Sequence, residues 1–156
     1  MTETTIPEGF FPLTLGDYGF IPANGPLYGK RDNGYFLLGF RVEDRHCNPA
    51  RICHGGMLMT FADMQLPLGI RLQSETDAGF MPTVHLSAEF MAPAPLGAWV
   101  EGRTDILRQT RNLAFAQCLV TADGEVVLRA SGIFKLASRA EPVPLDAILL
   151  NEPGGK

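Results

Sequence analysis

The sequence has no excess of basic residues. Its 13 lysines and arginines stand against 17 aspartates and glutamates, a formal net charge of -4, and the isoelectric point is near 5.3. Such a chain exerts no general attraction on nucleic acid or anionic lipid, so neither is expected as a partner, and an anionic ligand has to meet a local basic site. Long apolar runs are missing too. No stretch reaches the roughly 18 uncharged residues that suggest a membrane span, and the opening MTETTIPEGFF has no basic segment followed by an apolar one; a cytoplasmic protein is expected. Cysteine is scarce: Cys47, Cys53 and Cys118 are an odd count, which argues against a disulfide framework and for reduced thiols. His46, Cys47, Cys53 and His54 crowd together as HCx5CH, but without the paired CxxC spacing of structural zinc sites, so no metal is expected.

What is present is 156 residues, 46% of them hydrophobic, enough for one domain with a substantial core and too few for two comfortable ones. Residues 1–25 are rich in proline, glycine and aromatics without a period and read as an irregular segment. From 26 to 137 the chain carries clear elements. Leu27 to Lys30, the turn residues RDNG and Gly34 to Val42 read as a hairpin. Glu43 to Ile52 is a polar loop, and Met57 to about Leu72 is a helix apolar on nearly every side, as a helix enclosed by other elements should be.

Beyond it the period changes to two. In PTVHLSAEFMAP, Val84, Leu86, Ala88 and Phe90 share one face, and Thr83, His85, Ser87 and Glu89 the other. Strands also fit Ala98 to Leu107, Leu113 to Thr121, and Glu125 to Leu136, the last with Val126, Leu128, Ala130, Gly132, Phe134 and Leu136 inward. Residues 138–156 read as a loosely docked tail with Ile148, Leu149 and Leu150 able to pack. The fold class expected is α+β, a sheet wrapped around one helix.

Within RICHGGMLMTFADMQLPLGI, Asp63 is the only acid. Gly55 and Gly56 let the chain enter the helix tightly and leave N–H groups uncovered at its positive end, a site for an oxyanion or a polarised carbonyl. Asp63 sits mid-helix, where aspartate is a poor helix former and an unpaired buried carboxylate costs several kcal/mol. It needs a partner, such as Arg71 or Arg103, or a task.

The array of Asn48, His54-Gly55-Gly56 and Asp63, followed by TVHLSAEFMAPA and by LRQTRNLAFAQCLVTADGEVVLRASGIFKL, resembles the hotdog-fold acyl-CoA thioesterases, most of all the phenylacetyl-CoA and aryl-CoA branch. The likeness covers about Gly34 to Leu136. It implies a long helix inside a curved antiparallel sheet, homodimers joined edge to edge, often paired into tetramers, and active sites at the dimer interface. It implies hydrolysis of an acyl- or aryl-CoA thioester to a carboxylic acid and coenzyme A. No cofactor is implied, because coenzyme A is part of the substrate.

By the same resemblance Asp63 matches the catalytic carboxylate, as nucleophile or as general base for water, and Gly55 matches the residue whose N–H polarises the carbonyl. His54 and Asn48 match positions that shape the site, and Thr83 a hydroxyl near the attacking water. Gly56 joins them as a substrate-binding position at the helix start. His85 shares a strand face with Thr83, and Arg103, Arg108 and Arg111 are candidates for the coenzyme A phosphates.

Gly55 and Asp63 are eight residues apart, about 12 Å along a helix, whereas reacting atoms must come within roughly 3 to 3.5 Å. One thioester served by both residues needs the helix start of one subunit and the acid of another. Two other functions compete. A hotdog hydratase is suggested by Asp44 and Asn48-Pro49, although Asp44 and the histidine after Pro49 are badly spaced for it. A catalytically silent acyl-CoA-binding protein is suggested by Pro67, which stands one turn beyond Asp63, where relatives often carry a hydroxyl.

Overall fold

The computed structural model describes residues 5–74, 76, 78–136 and 144–154. In chain order its elements are strand β1 (Phe11–Pro12), helix α1 (Phe20–Asn24), strands β2 (Tyr28–Asp32) and β3 (Tyr35–Arg41), and a 3-10 turn (Asp44–His46). Helix α2 (Gly55–Gln73), strands β4 (Thr83–Phe90), β5 (Trp99–Gln109), β6 (Leu113–Ala122) and β7 (Glu125–Lys135), and helix α3 (Leu145–Ile148) follow. Turn chemistry sets two of the hairpins. Asn33 and Gly34 take φ of 47° and 83°, and Asp123 and Gly124 take 47° and 86°. Positive φ at both central residues is the requirement of a two-residue type I′ turn, so β2–β3 and β6–β7 close where the sequence places RDNG and ADG.

All pairings are antiparallel, in one seven-stranded sheet of order β1-β2-β3-β5-β6-β7-β4. Helix α2 buries Leu58, Phe61, Ala62, Leu66 and Ile70 among Phe40, Val100, Leu128 and Phe134 of the sheet. At Gly69 an added Cβ would lie 2.4 Å from the Thr104 side chain, so glycine there permits the close approach of helix to sheet. This is the expected α+β hotdog architecture, a curved sheet around one central helix. No described helix is long and apolar enough to cross a membrane.

Two glutamines join helix to sheet. Gln65 is fully buried; its Oε1 accepts from Leu38 N at 2.7 Å, and its Nε2 donates to Phe36 O at 3.1 Å and Thr104 Oγ1 at 2.9 Å. The Thr104 hydroxyl donates back to Gln65 O at 3.0 Å. Two turns on, Gln73 Oε1 accepts from Phe36 N at 2.9 Å and its Nε2 donates to Thr104 O at 3.0 Å. These amides complete backbone groups of β3 and β5 where the ladder between them, Leu37–Arg103 to Arg41–Trp99, runs out. Gln65→Leu strands several buried polar groups at once, at about 1–3 kcal/mol each. A loss of about 4 kcal/mol in all, a fall of roughly 10 °C in thermal midpoint for a chain of this size, is expected. A melt indistinguishable from wild type would contradict it.

His46 is also buried. Its Nδ1 accepts from Glu43 N at 3.0 Å and its Nε2 lies 2.9 Å from Asn24 O, the pattern of a neutral ring protonated on Nε2. Burial pushes its pKa below 6.5. The unfolded chain therefore binds this proton at higher pH than the folded one, so the stability held by neutral His46 is full above about pH 6.5 and is lost as pH falls below it. The urea-midpoint gap between wild type and His46→Asn is expected to narrow from pH 7.5 towards pH 5; a constant gap would contradict that role.

The structure departs from the sequence reading in four places. Residues 11–12 and 20–24 of the segment read as irregular form β1 and α1; β1 pairs with β2, and Phe11 is buried. In the tail, Leu145–Ile148 form α3 with Ile148 buried, and Leu150 just beyond it is exposed; residues 138–143, 155 and 156 lie outside the described residues. Val126 is exposed while Val127 is buried, because the β6–β7 register shifts beside Val120 and Thr121 and an extra residue inverts a period-two pattern. Val84 and Phe90 of β4 are exposed, since β4 is an edge strand paired with β7 on one side.

Candidate active site

The start of α2 is built by the loop before it. Asn48 Oδ1 accepts from Ala50 N at 3.0 Å and Ile52 N at 3.4 Å, and Cys47 and Cys53 face each other in an isolated antiparallel bridge. His54 N donates to His46 O at 2.8 Å, which delivers His54 to the N-cap position. Its Nδ1 accepts from Gly56 N at 2.8 Å, so the neutral ring carries its proton on Nε2. Its carbonyl accepts from Met57 N at 2.9 Å and Leu58 N at 3.2 Å.

Of the N–H groups that open the helix, that of Gly55 is thus the one left without an acceptor among the described residues. It points from the positive end of a 19-residue helix, the polarity that draws a carbonyl oxygen or oxyanion. Gly56 gives its N–H to the cap and has no backbone donor left for a substrate. A Cβ on Gly55 would come 3.2 Å from the Phe90 ring, so the end of β4 lies beside Gly55. Both ring nitrogens of His46 and the Nδ1 of His54 are engaged, and no cluster of three or more metal-ligating side chains occurs among the described residues.

Asp63 is two turns further along α2, half-buried, and the Thr83 hydroxyl donates to its Oδ1 at 2.6 Å. The partner that the sequence demanded is thus a threonine at the start of β4 and not Arg103. A hydroxyl that gives its proton to the carboxylate keeps its lone pairs for a water, while Oδ2 stays open to accept a proton or to attack. Both groups open on a cavity of about 400 Å³. Pro67 lies on the wall of this cavity, within a helix that continues through it. Having no N–H, it gives the carbonyl of residue 63 no hydrogen bond.

The other candidates do not gather here. His85 is exposed on β4 opposite Ile133. Arg103 lies on β5, three strands from β4, with its guanidinium 4.3 Å from the Tyr35 ring and 3.6 Å from Asp105. Arg108 and Arg111 are exposed at the far end of the β5–β6 hairpin; Arg108 is five residues beyond Arg103, about 16 Å along a strand, so the three form no single cluster. Missed in the sequence were Thr60, Phe90 and the cavity residues Leu15, Phe20, Ile21 and Ile148. Thr60, three residues before Asp63, shares its helix face and was there to be found; the others meet the site only through tertiary packing.

A family model described as the thioesterase superfamily matches residues 50–128, a span that holds Gly55, Asp63 and Thr83. An esterase-like protein of Pseudomonas aeruginosa is 31% identical over 132 residues, 84% of this chain and 97% of that one. Among solved structures, zebra fish thioesterase superfamily member 2 is 25% identical, with a TM-score of 0.69 over 78% of this chain and 88% of that one. A mutant of the phenylacetic acid degradation protein PaaI of Thermus thermophilus is 23% identical, with a TM-score of 0.63 over 75% and 97%. A hypothetical thioesterase of Streptococcus pneumoniae, solved with coenzyme A, is 16% identical, with a TM-score of 0.64 over 74% and 88%. These likenesses meet the geometry of α2 and its surrounding sheet at one conclusion: the chain belongs to the thioesterase superfamily and has the hotdog fold.

Proposed function

We propose that this chain hydrolyses an acyl- or aryl-CoA thioester, in an active site assembled from two copies. The observation that carries this reading is the position of β4. Its first residue, Thr83, bonds Asp63, and its last, Phe90, lies beside Gly55, so both chemical groups lie along one edge strand. That edge carries exposed Val84, Phe90 and, just beyond it, Met91, and an uncovered apolar edge strand invites pairing with another chain. Antiparallel pairing of β4 with a second β4 about a two-fold axis sets Thr83 opposite Phe90 of the other copy. Asp63 of one protomer then approaches Gly55 of its partner, which overcomes the separation of about 12 Å along a single helix.

In such a site the thioester carbonyl accepts from Gly55 N–H, and Asp63 attacks it or takes the proton from a water held by Thr83. With water as the nucleophile, the tetrahedral oxyanion collapses to the carboxylic acid and the proton taken by Asp63 passes to the departing coenzyme A thiolate. With Asp63 as the nucleophile, it collapses to an acyl–Asp63 anhydride and the thiolate, and a water then hydrolyses the anhydride to the carboxylic acid. The Nε2–H of His54 is available beside the carbonyl.

A thiol-release assay over short, medium and aryl CoA esters tests the activity and separates it from silent acyl-CoA binding. Mixing tests the assembly. When Asp63→Asn and Gly55→Pro proteins are allowed to exchange subunits, each hybrid dimer regains one intact site, and half the dimers are hybrids. About a quarter of wild-type activity is then expected. No recovery despite verified exchange would place both residues on one protomer and overturn the two-subunit site.

A further inference from the structure

The cavity beside Asp63 has two kinds of wall. One is the stripe of α2 that holds Thr60, Asp63, Met64, Pro67, Leu68 and Arg71. These residues recur every three or four positions along one helix face. The other wall includes Leu15, Phe20 and Ile21 from the N-terminal segment and Ile148 from α3. The family match begins at residue 50 and ends at residue 128, so Gly55, Asp63 and Thr83 fall inside it and this second wall outside it.

The chain ends hold each other in place. Thr14 N donates to Ile148 O at 3.2 Å, and Asn151 Nδ2 donates to Pro12 O at 3.3 Å. Arg31 on β2 pairs with Glu152 at 2.5 Å. Ile148 is 3% exposed, so α3 inserts one side chain and leaves the rest of its surface outside.

The chemistry of the lining selects the ligand. Thr60, Asp63 and Thr83 supply hydroxyls and a carboxylate at one place, whereas Met64, Leu68, Phe80 and Met81 are apolar. Arg71 is the one cation among the described lining residues and already has a partner, so a carboxylate at the far end of the acyl chain would have to compete for it. From Asp63 to Arg71 the helix advances eight residues, about 12 Å, the reach of an extended chain of roughly eight to ten carbons.

We propose that the cavity takes an uncharged, apolar acyl group of medium length, and that the two chain ends, through Phe20, Ile21 and Ile148, set its upper limit. This rests on the thioesterase reading above. The division has a plain logic: the hotdog core supplies the reaction, and the terminal segments supply the ruler.

The test is kcat/KM for saturated acyl-CoA esters from two to sixteen carbons. Wild type should rise by up to about fourfold for each methylene buried to an optimum near eight to ten carbons and then fall. Ile148→Trp, which adds bulk to the wall, should lower the ratio of decanoyl- to acetyl-CoA turnover at least tenfold, and Ile148→Ala should move the optimum to longer chains. Phe20 is largely exposed, so Phe20→Ala gives a second reading of the same shift with little risk to folding. A wild-type preference for acetyl-CoA, or variants that scale every chain length by one factor, would overturn the proposal. Calorimetry with non-hydrolysable S-alkyl-CoA ethers separates the two readings. Binding that tightens with chain length and weakens in Ile148→Trp, without turnover of any ester, retains the pocket and refutes the thioesterase; turnover blind to both chain ends does the reverse.

Discussion

Gly55→Pro is expected to lower kcat by about 10²- to 10³-fold while leaving the helix folded, the effect of deleting one oxyanion donor. The substitution removes a single atom group. Gly55 is the first residue of α2, the helical position that tolerates proline best because its N–H has no partner within the helix. His54 before it has φ -61° and ψ 137°, the extended conformation that a residue preceding proline needs. The N–H groups of Gly56, Met57 and Leu58 stay bonded to His54, so the cap survives. The new ring meets Phe90 at the end of β4, the contact that a Cβ at this position makes. Gly55→Ala makes the same contact and keeps the N–H. Near-normal turnover in the alanine variant with the large loss in the proline variant isolates the donor; equal losses in both would assign the effect to Phe90 instead.

Asp63→Asn is expected to lower kcat by about 10²- to 10⁴-fold with KM little changed, the signature of a group that acts in the transition state. Asparagine has the same shape and still accepts from Thr83, so the helix and the cavity wall keep their contacts. What disappears is the negative charge and the basic or nucleophilic oxygen. Rapid-quench mass spectrometry of a single turnover then divides the two roles: a nucleophilic carboxylate is caught as an acyl–Asp63 anhydride, and label from 18O water found in Asp63 also marks it, whereas a general base gives no covalent adduct. Undiminished turnover in Asp63→Asn would remove the acid from the mechanism altogether.

Much of this was legible in the sequence because it depends on local chemistry. The strong periodicities and positive-φ turn residues placed the central helix and the main strands to within a few residues, and the glycine pair with the displaced acid pointed to the candidate site. The parts that were not legible depend on position in the sheet. Val84 and Phe90 alternate correctly for a half-buried strand, but nothing local says that β4 lies at an edge. The slip at Val126 came from a bulge, which leaves no local signal when either valine suits the core. The arginines were chosen by charge alone, and sheet order sends Arg103 to a different strand from the one beside the acid. Gln65 and Gln73 were overlooked because an amide in an apolar helix declares no partner until the sheet surrounds it.

Those two glutamines also have a geometric role. Successive residues turn about 100° around a helix, so Gln65, two positions after Asp63, projects from nearly the opposite side. Its amide is keyed to the backbone of β3, and Gln73 repeats the key two turns on. The helix then behaves as a shaft fixed in its housing, unable to rotate or slide without surrendering both keys. The direction in which the Asp63 carboxylate aims is therefore set from behind, by residues that never touch the cavity.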